Sequence, residues 1–218
     1  MFNNCNSKEN GEYAFYIKNR HLFRVLFDVG CRYDSEFLDF KGEVHYFDPS
    51  QEFIQRLSSQ ENKNTQSYFN SFGLGNESKD MYYYPNYQSF YDRTESCGVS
   101  DDANKVLFKI KKASEYIKEG NIKRIDFLKI DTEGFELEVL KGFAGHLSKV
   151  SIIQFEYGGT FLDNKLKLID VIEYLETFGF HQFSYLYQDG LQQITDFTDH
   201  YEYCNIVCVR KECGLSLF

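Results

Sequence analysis

Tryptophan is absent from the 218-residue chain and proline occurs only twice. With no proline-rich or low-complexity stretch to act as a linker, a single domain over residues 1–218 is expected, large enough to bury a core without disulfides or metal. No apolar run approaches the roughly 18 residues of a membrane helix, and Met1–Gly11 is polar, unlike a secretion signal. A cytoplasmic chain without a membrane span is therefore expected. Basic residues are in deficit, with 24 Lys and Arg against 33 Asp and Glu and a net charge of −9. Such a surface repels a phosphate backbone, so nucleic acid is not an expected partner. The six cysteines are scattered, without CxxC or a Cys/His zinc spacing, so no metal is assigned and reduced thiols are expected.

Several cofactor fingerprints are missing as well. Gly30-Cys31-Arg32-Tyr33-Asp34-Ser35 fails the GxGxxG pattern of dinucleotide sites. There is no GxxxxGK[ST] phosphate loop and no GxSxG nucleophile elbow.

What is present is an alternation of strands and helices. Arg24–Val29, Val44–Phe47, Gln66–Phe69, Asp126–Ile130 and Ser151–Phe155 are short apolar runs that read as strands. Helices are expected over Asp34–Phe40, Gln51–Ser58, Ala113–Glu119, Glu136–Lys141 (ended by Gly142) and Lys165–Phe178, with closing strands at Gln182–Tyr187 and Asn205–Arg210. The pattern predicts an α/β fold with a largely parallel sheet. It divides into an N-terminal segment (1–23), a motif-bearing core (24–158) and a C-terminal helix with closing strands (159–218). An insertion at 79–112 has strand-like ends, and its polar stretch 86–104 reads as a mobile lid. The aromatics are abundant, 22 Phe and 17 Tyr. Those in Met81–Tyr91 read either as core or as a sugar-stacking surface.

Ligands in such folds sit beyond the carboxyl ends of the strands. Asp28, Asp48, Asp131 and Glu156 all fall there, although a strand-end acid can also simply cap a turn. Asp28 precedes a lone Gly30, whose missing side chain lets a ligand approach the backbone. Asp48, about twenty residues on, is placed to accept from a ribose diol. This pair suits an adenosine ligand without pyrophosphate, which points to S-adenosylmethionine.

Asp126–Gly142 reads DFLKIDTEGFELEVLKG and closely resembles the signature of the FkbM-type S-adenosylmethionine-dependent methyltransferases. FDVG (Phe27–Gly30), YFDPS (Tyr46–Ser50), Asn70 with Phe72–Gly75, and IIQFEYG (Ile152–Gly158) follow the family pattern in order. Two positions depart from it. Cys31-Arg32-Tyr33-Asp34 stands where the family has Ala-Asn-x-Gly, and Asp48 stands where it has Glu. The resemblance implies a class I (Rossmann-like) methyltransferase with a seven-stranded, mostly parallel sheet and helices on both faces. It implies S-adenosylmethionine held by Asp28, Gly30, Cys31, Asp48, Asn70, Ser71, Phe72 and Asp131, and O-methyl transfer to a small polar acceptor. A sugar or glycan is the expected acceptor, with a lipid or polyketide hydroxyl, or a non-catalytic cofactor-binding module, as the alternatives.

For the chemistry, Asp131 and Glu133 are expected to serve the acceptor and its proton, with Glu156 second. Glu133 could instead cap the following helix. Three neighbouring carboxylates could also attract a divalent cation. Lys129, on a central strand, needs a carboxylate partner. It would orient Asp131 or Glu156, stabilise a developing alkoxide, or form a purely structural salt link.

Overall fold

The computed structural model describes residues 2–94, 98, 100 and 103–211. The first strands are β1 (Val25–Val29), β2 (Glu43–Phe47) and β3 (Gln66–Asn70). They pair in parallel, each five residues long; β1 and β2 are buried along most of their length, while β3 is the half-exposed edge of the sheet. Gly73–Gly75 (β4), Lys79–Tyr83 (β5) and Val106–Lys112 (β6) leave this order and form a separate three-stranded sheet, β4-β6-β5. The main sheet resumes with β7 (Ile125–Ile130) beside β1, then β8 (Val150–Tyr157), β9 (Phe180–Tyr187), β10 (Gly190–Gln193) and β11 (Cys204–Arg210).

The complete order is β10-β9-β11-β8-β7-β1-β2-β3. β11 runs antiparallel to both β8 and β9, and β10 is antiparallel to β9. The expectation of seven strands is therefore corrected to eight. The extra strand is β10, which returns against β9 through a two-residue turn at Gln188-Asp189 and starts at Gly190, where φ is +137°.

Neighbouring residues along each central strand feed opposite layers, following the two-residue pleat. Phe27, Leu128 and Ile153 join one core with the helices α3 (Ala113–Glu119), α4 (Glu136–Phe143) and α6 (Leu168–Glu176). Leu26, Phe127 and Ile152 join the other with α1 (Glu12–Asn19) and α2 (Gln51–Ser58). α1 lies in the N-terminal segment and gave no usable sequence signal. The helix expected over Lys165–Phe178 is shorter, Leu168–Glu176, and a separate short helix, α5 (Gly159–Asp163), precedes it, with Lys165 left-handed at φ +55° between the two. Asp34–Phe40 is only a 3-10 turn over Glu36–Asp39, capped by the Ser35 hydroxyl, which accepts from Phe37 N at 3.2 Å. Gly142 does not end α4. It lies within the helix because β4 passes so close that a Cβ there would sit 2.0 Å from the Gly75 carbonyl oxygen.

Of the expected lid, residues 95–97, 99, 101 and 102 lie outside the described residues. The part leading into it is packed down. Tyr84 and Ser89 form a β-bridge, and the Phe90 ring lies 5.4 Å from that of Phe135.

Candidate active site

β1, β2, β7 and β8 run parallel, so Asp28, Asp48, Asp131 and Glu156 reach the same edge of the sheet. After β1 the chain turns at Gly30, whose φ of +87° suits glycine. Its amide donates to the Phe47 carbonyl at 2.8 Å, and the next amide, of Cys31, donates to the same oxygen at 3.2 Å. Arg32 follows with φ +52°, a left-handed conformation that asparagine tolerates better than arginine. This is the position where the family pattern has Asn, so the backbone shape is kept although the side chain has changed.

Two cavities open along this edge and share Gly30, Arg32 and Asp131. The larger, about 690 Å³, reaches Asp48, Ser50 and Phe53 at one end and Glu133, Glu156 and Tyr203 at the other. Its outer wall is aromatic and apolar: Tyr83, Pro85, Phe90, Val106 and Phe108. The smaller, about 220 Å³, is lined by Asp28, Cys31, Ser35, Glu36 and Lys129. Together they fall in the size range of small-molecule sites, roughly 300–1,000 Å³.

Asp48 is buried, with one carboxylate oxygen accepting from Ser50 N at 2.8 Å and the other from Arg32 N at 3.1 Å. Burial raises its pKa to about 6, against the pull of those two amides. Asp28 accepts from the Ser35 hydroxyl at 2.6 Å, and burial raises its pKa to about 7. Cys31 is buried beside them and its thiol is pushed well up by the same desolvation. Asn70, Ser71 and Phe72 line neither cavity. The Asn70 amide instead donates to the Tyr46 carbonyl at 3.0 Å, while its own carbonyl accepts from Asp48 N at 3.2 Å. Its place is structural, beneath Asp48.

At the other end, carboxylate oxygens of Asp131, Glu133 and Glu156 lie within 4.8 Å of one another. Burial raises the pKa of all three. Glu133 is raised further by Asp131, and Glu156 by Asp131, Glu133 and Glu136. Tyr203 lines the same cavity as Glu156. Glu133 does not cap α4. Glu136, the first residue of that helix, does not cap it either but braces the preceding turn, accepting from Thr132 N at 2.9 Å, Thr132 Oγ1 at 3.0 Å and Gly134 N at 3.2 Å. This frees Glu133, at φ +55°, to face the cavity.

Residues 28–182 match the methyltransferase FkbM domain family, about seven-tenths of the chain. The chain belongs to that family. Membership implies S-adenosylmethionine as methyl donor. No curated protein matches the sequence. Among solved structures, a TehB-like S-adenosylmethionine-dependent methyltransferase from Corynebacterium glutamicum is similar at 10% identity and TM-score 0.48, covering 91% of this chain and 88% of that one. An S-adenosylmethionine-dependent O-methyltransferase from Thermotoga maritima is similar at 11% identity and TM-score 0.38, covering 91% and 64%. A human methyltransferase 10 domain-containing protein gives 11% identity and TM-score 0.37, covering 90% and 81%.

The FkbM signature strand β7 delivers both Lys129 and Asp131, but Lys129 pairs with neither Asp131 nor Glu156. Its ammonium meets Glu12 at 2.9 Å and Glu36 at 3.5 Å. Sequence reading missed Glu12 and Tyr203 altogether. Both lie outside the matched family segment, and no motif marks them. The one available signal was the buried lysine's need for an acid.

Proposed function

We propose that this FkbM-family chain transfers a methyl group from S-adenosylmethionine to a hydroxyl of a sugar or glycan acceptor. The observation that carries the reading is the larger cavity. This one cavity is lined by the clustered carboxylates Asp131, Glu133 and Glu156, by the aromatics Tyr83, Phe90 and Phe108, and by Asp48.

The residues at the first end fit the donor. Gly30 lines both cavities, and Asp48 has room on its oxygens to accept from a ribose diol. The acid-rich lining, including Asp28 and Asp131, suits a ligand with cationic groups and offers no nest for a pyrophosphate. The donor supplies an electrophilic methyl group on a positively charged sulfur. Tyr83, Phe90 and Phe108 offer flat faces for the C–H side of a sugar ring, while carboxyls of the same cavity accept from its hydroxyls.

Asp131 or Glu133 takes the acceptor's proton as the oxygen–carbon bond forms. Their raised pKa values bring them closer to the operating pH, which strengthens a carboxylate as a base while leaving it ionised part of the time. Glu156, whose pKa is pushed well up by burial and by Asp131, Glu133 and Glu136, serves as a hydrogen-bonding group to the acceptor rather than as the base. Holding acceptor and donor in line supplies the rest of the rate.

A second reading is methylation of a lipid or polyketide hydroxyl. It draws support from Val106 and Phe108, which make part of the wall purely apolar. A screen of free sugars, glycosides and hydroxylated lipids with radiolabelled donor separates the two. Label in the saccharide fraction supports the proposal, and label only in lipid supports the alternative. Tight donor binding with no product from any acceptor would favour a non-catalytic module.

A further inference from the structure

We propose that Glu12 is a positioning residue: from outside the matched family segment it clamps the Lys129 ammonium in the smaller cavity and so governs the charge state of Asp131. The inference rests on the reading of Asp131 as a proton acceptor given above.

Glu12 opens α1, immediately after Gly11, whose φ is +104°. A Cβ on Gly11 would lie 2.2 Å from the Tyr187 carbonyl oxygen, so the start of the helix is pressed against β9. The Glu12 carboxylate is then fixed from three sides. Asn10 Nδ2 donates to one oxygen at 2.7 Å, and Gln154 Nε2 donates to the other at 3.0 Å. Lys129 Nζ reaches that second oxygen at 2.9 Å. Asn10, Glu12 and Gln154 are all buried, and the Lys129 side chain is 13% exposed.

A buried ion pair with this many satisfied partners is an expensive way to join a helix to a sheet, since apolar side chains of similar volume usually serve as well or better. Its placement gives it a use. Lys129 lines the smaller cavity together with Asp28 and Asp131, and its ammonium is held by Glu12 and, more loosely, by Glu36 at 3.5 Å. While Glu12 occupies Lys129, the ammonium is kept from closing on Asp131.

Asp131 faces charges from every neighbouring element: Lys129 and Glu133 on its own segment, Asp28 and Arg32 from β1 and the turn after it, Glu36, Glu12, Glu156 and Tyr203. Lys129 favours its ionised form and Glu12 opposes it, with Lys129 the stronger influence. Glu12→Gln removes the opposing charge and frees Lys129 to turn towards Asp131. Both changes hold Asp131 ionised to lower pH and make it a weaker base. Removing both partners, in Glu12→Gln/Lys129→Met, takes away the stronger influence and acts in the opposite direction.

The test is a carboxyl-carbon NMR titration of Asp131 in the full chain, together with the pH dependence of kcat/KM on the acceptor found by screening. Glu12→Gln should move the Asp131 titration and the acid limb of the rate profile to lower pH, and the double variant should move both to higher pH. A role confined to stability would lower the folded fraction without moving the titration in opposite directions. Should Glu12→Gln fail to fold, Glu12→Asp, whose shorter carboxylate draws back from the ammonium while keeping the charge, takes its place, with the Asp131 titration again expected to move to lower pH. An Asp131 titration unmoved in the variants that fold overturns the proposal. A titration that moves as expected while the rate profile stays still upholds the clamp and removes Asp131 as the base.

Discussion

Gly30 and Asp131 touch so closely that no side chain fits between them. A Cβ built on Gly30 would lie 1.8 Å from the Asp131 carbonyl oxygen. This contact joins the end of β1 to the end of β7, where Asp131 N donates to the Val29 carbonyl at 2.9 Å. The turn after β1, the proposed donor site, and the acid that follows the signature strand are therefore one unit.

Gly30→Ala should force that unit apart. It introduces a side chain at φ +87° and against backbone rather than a flexible group, so a loss of at least about 1–3 kcal/mol in stability is expected. Donor affinity should fall with it. A thermal melt and a calorimetric donor titration matching the unsubstituted chain would show that the two strand ends separate without consequence.

Asp48→Ala should weaken donor binding by about 1.5–3 kcal/mol, the range for losing charge-assisted hydrogen bonds. Because Asp48 also accepts from Arg32 N and Ser50 N, the same change leaves two amides short of a partner and should lower the melting temperature. Asp48→Asn retains an acceptor and separates the effects. Unchanged affinity in the folded Ala variant would take Asp48 out of the donor site.

Much of this edge could be read from the chain. α2 and α3 fall at the expected bounds, Gln51–Ser58 and Ala113–Glu119, because a proline-led N-terminus and a closing glycine are local signals. The strands were legible because each is a short apolar run, and a parallel sheet then brings their terminal acids to one edge. Lys129's partner was not legible. Glu12 lies 117 residues away in sequence, on a helix whose EYAFYIKN sequence has no capping side chain. The bonding of Asn70 was not legible either: it sits next to Asp48 in the backbone, but its side-chain amide donates to the Tyr46 carbonyl. Periodicity reports which face a residue takes, and not which distant group will meet it there.

Burial of so many acids should make stability fall with rising pH. In the folded chain Asp28 has its pKa raised from 3.8 to about 7, Asp48 to about 6, and Glu136 from 4.5 to about 7. Over that interval the folded state holds protons that the unfolded chain has released, so stability is full below about pH 4 and is lost as pH passes about 7. The melting temperature should drop between about pH 5 and about pH 8. Asp28→Asn, which can still accept from Ser35, should flatten that slope and recover up to about 4 kcal/mol at the alkaline end. A melting temperature that rises over the same interval would contradict the assigned direction.

The aromatic wall should tighten over bound ligand. Ser89 Oγ lies 3.4 Å from the Glu133 carbonyl oxygen, and Phe90 packs on Phe135, so residues 84–94 contact the segment that carries the proposed base. Their amides should exchange more slowly with donor and acceptor present than without. Phe90→Ala should raise the acceptor KM more than it lowers kcat. Equal exchange in both states would mean that this wall is rigid scaffold.

The carboxyl cluster makes the sharpest demand. Asp131→Asn or Glu133→Gln should leave the fold and most donor affinity in place while methyl transfer falls about 10²–10⁴-fold, the range for losing a positioned acid or base. The amide keeps the shape and some hydrogen bonding but takes no proton. Glu156→Gln should lose less, because β8 lies one strand further than β7 from the turn after β1. If Asp131→Asn abolishes donor binding instead, Asp131 belongs to the donor's cationic end and Glu133 becomes the base. Activity should also withstand a chelator, since the reading gives these three groups a proton and an acceptor to handle. Loss with chelator and recovery with a divalent ion would turn the cluster into metal ligands, and three active amide variants would leave the reaction to proximity alone.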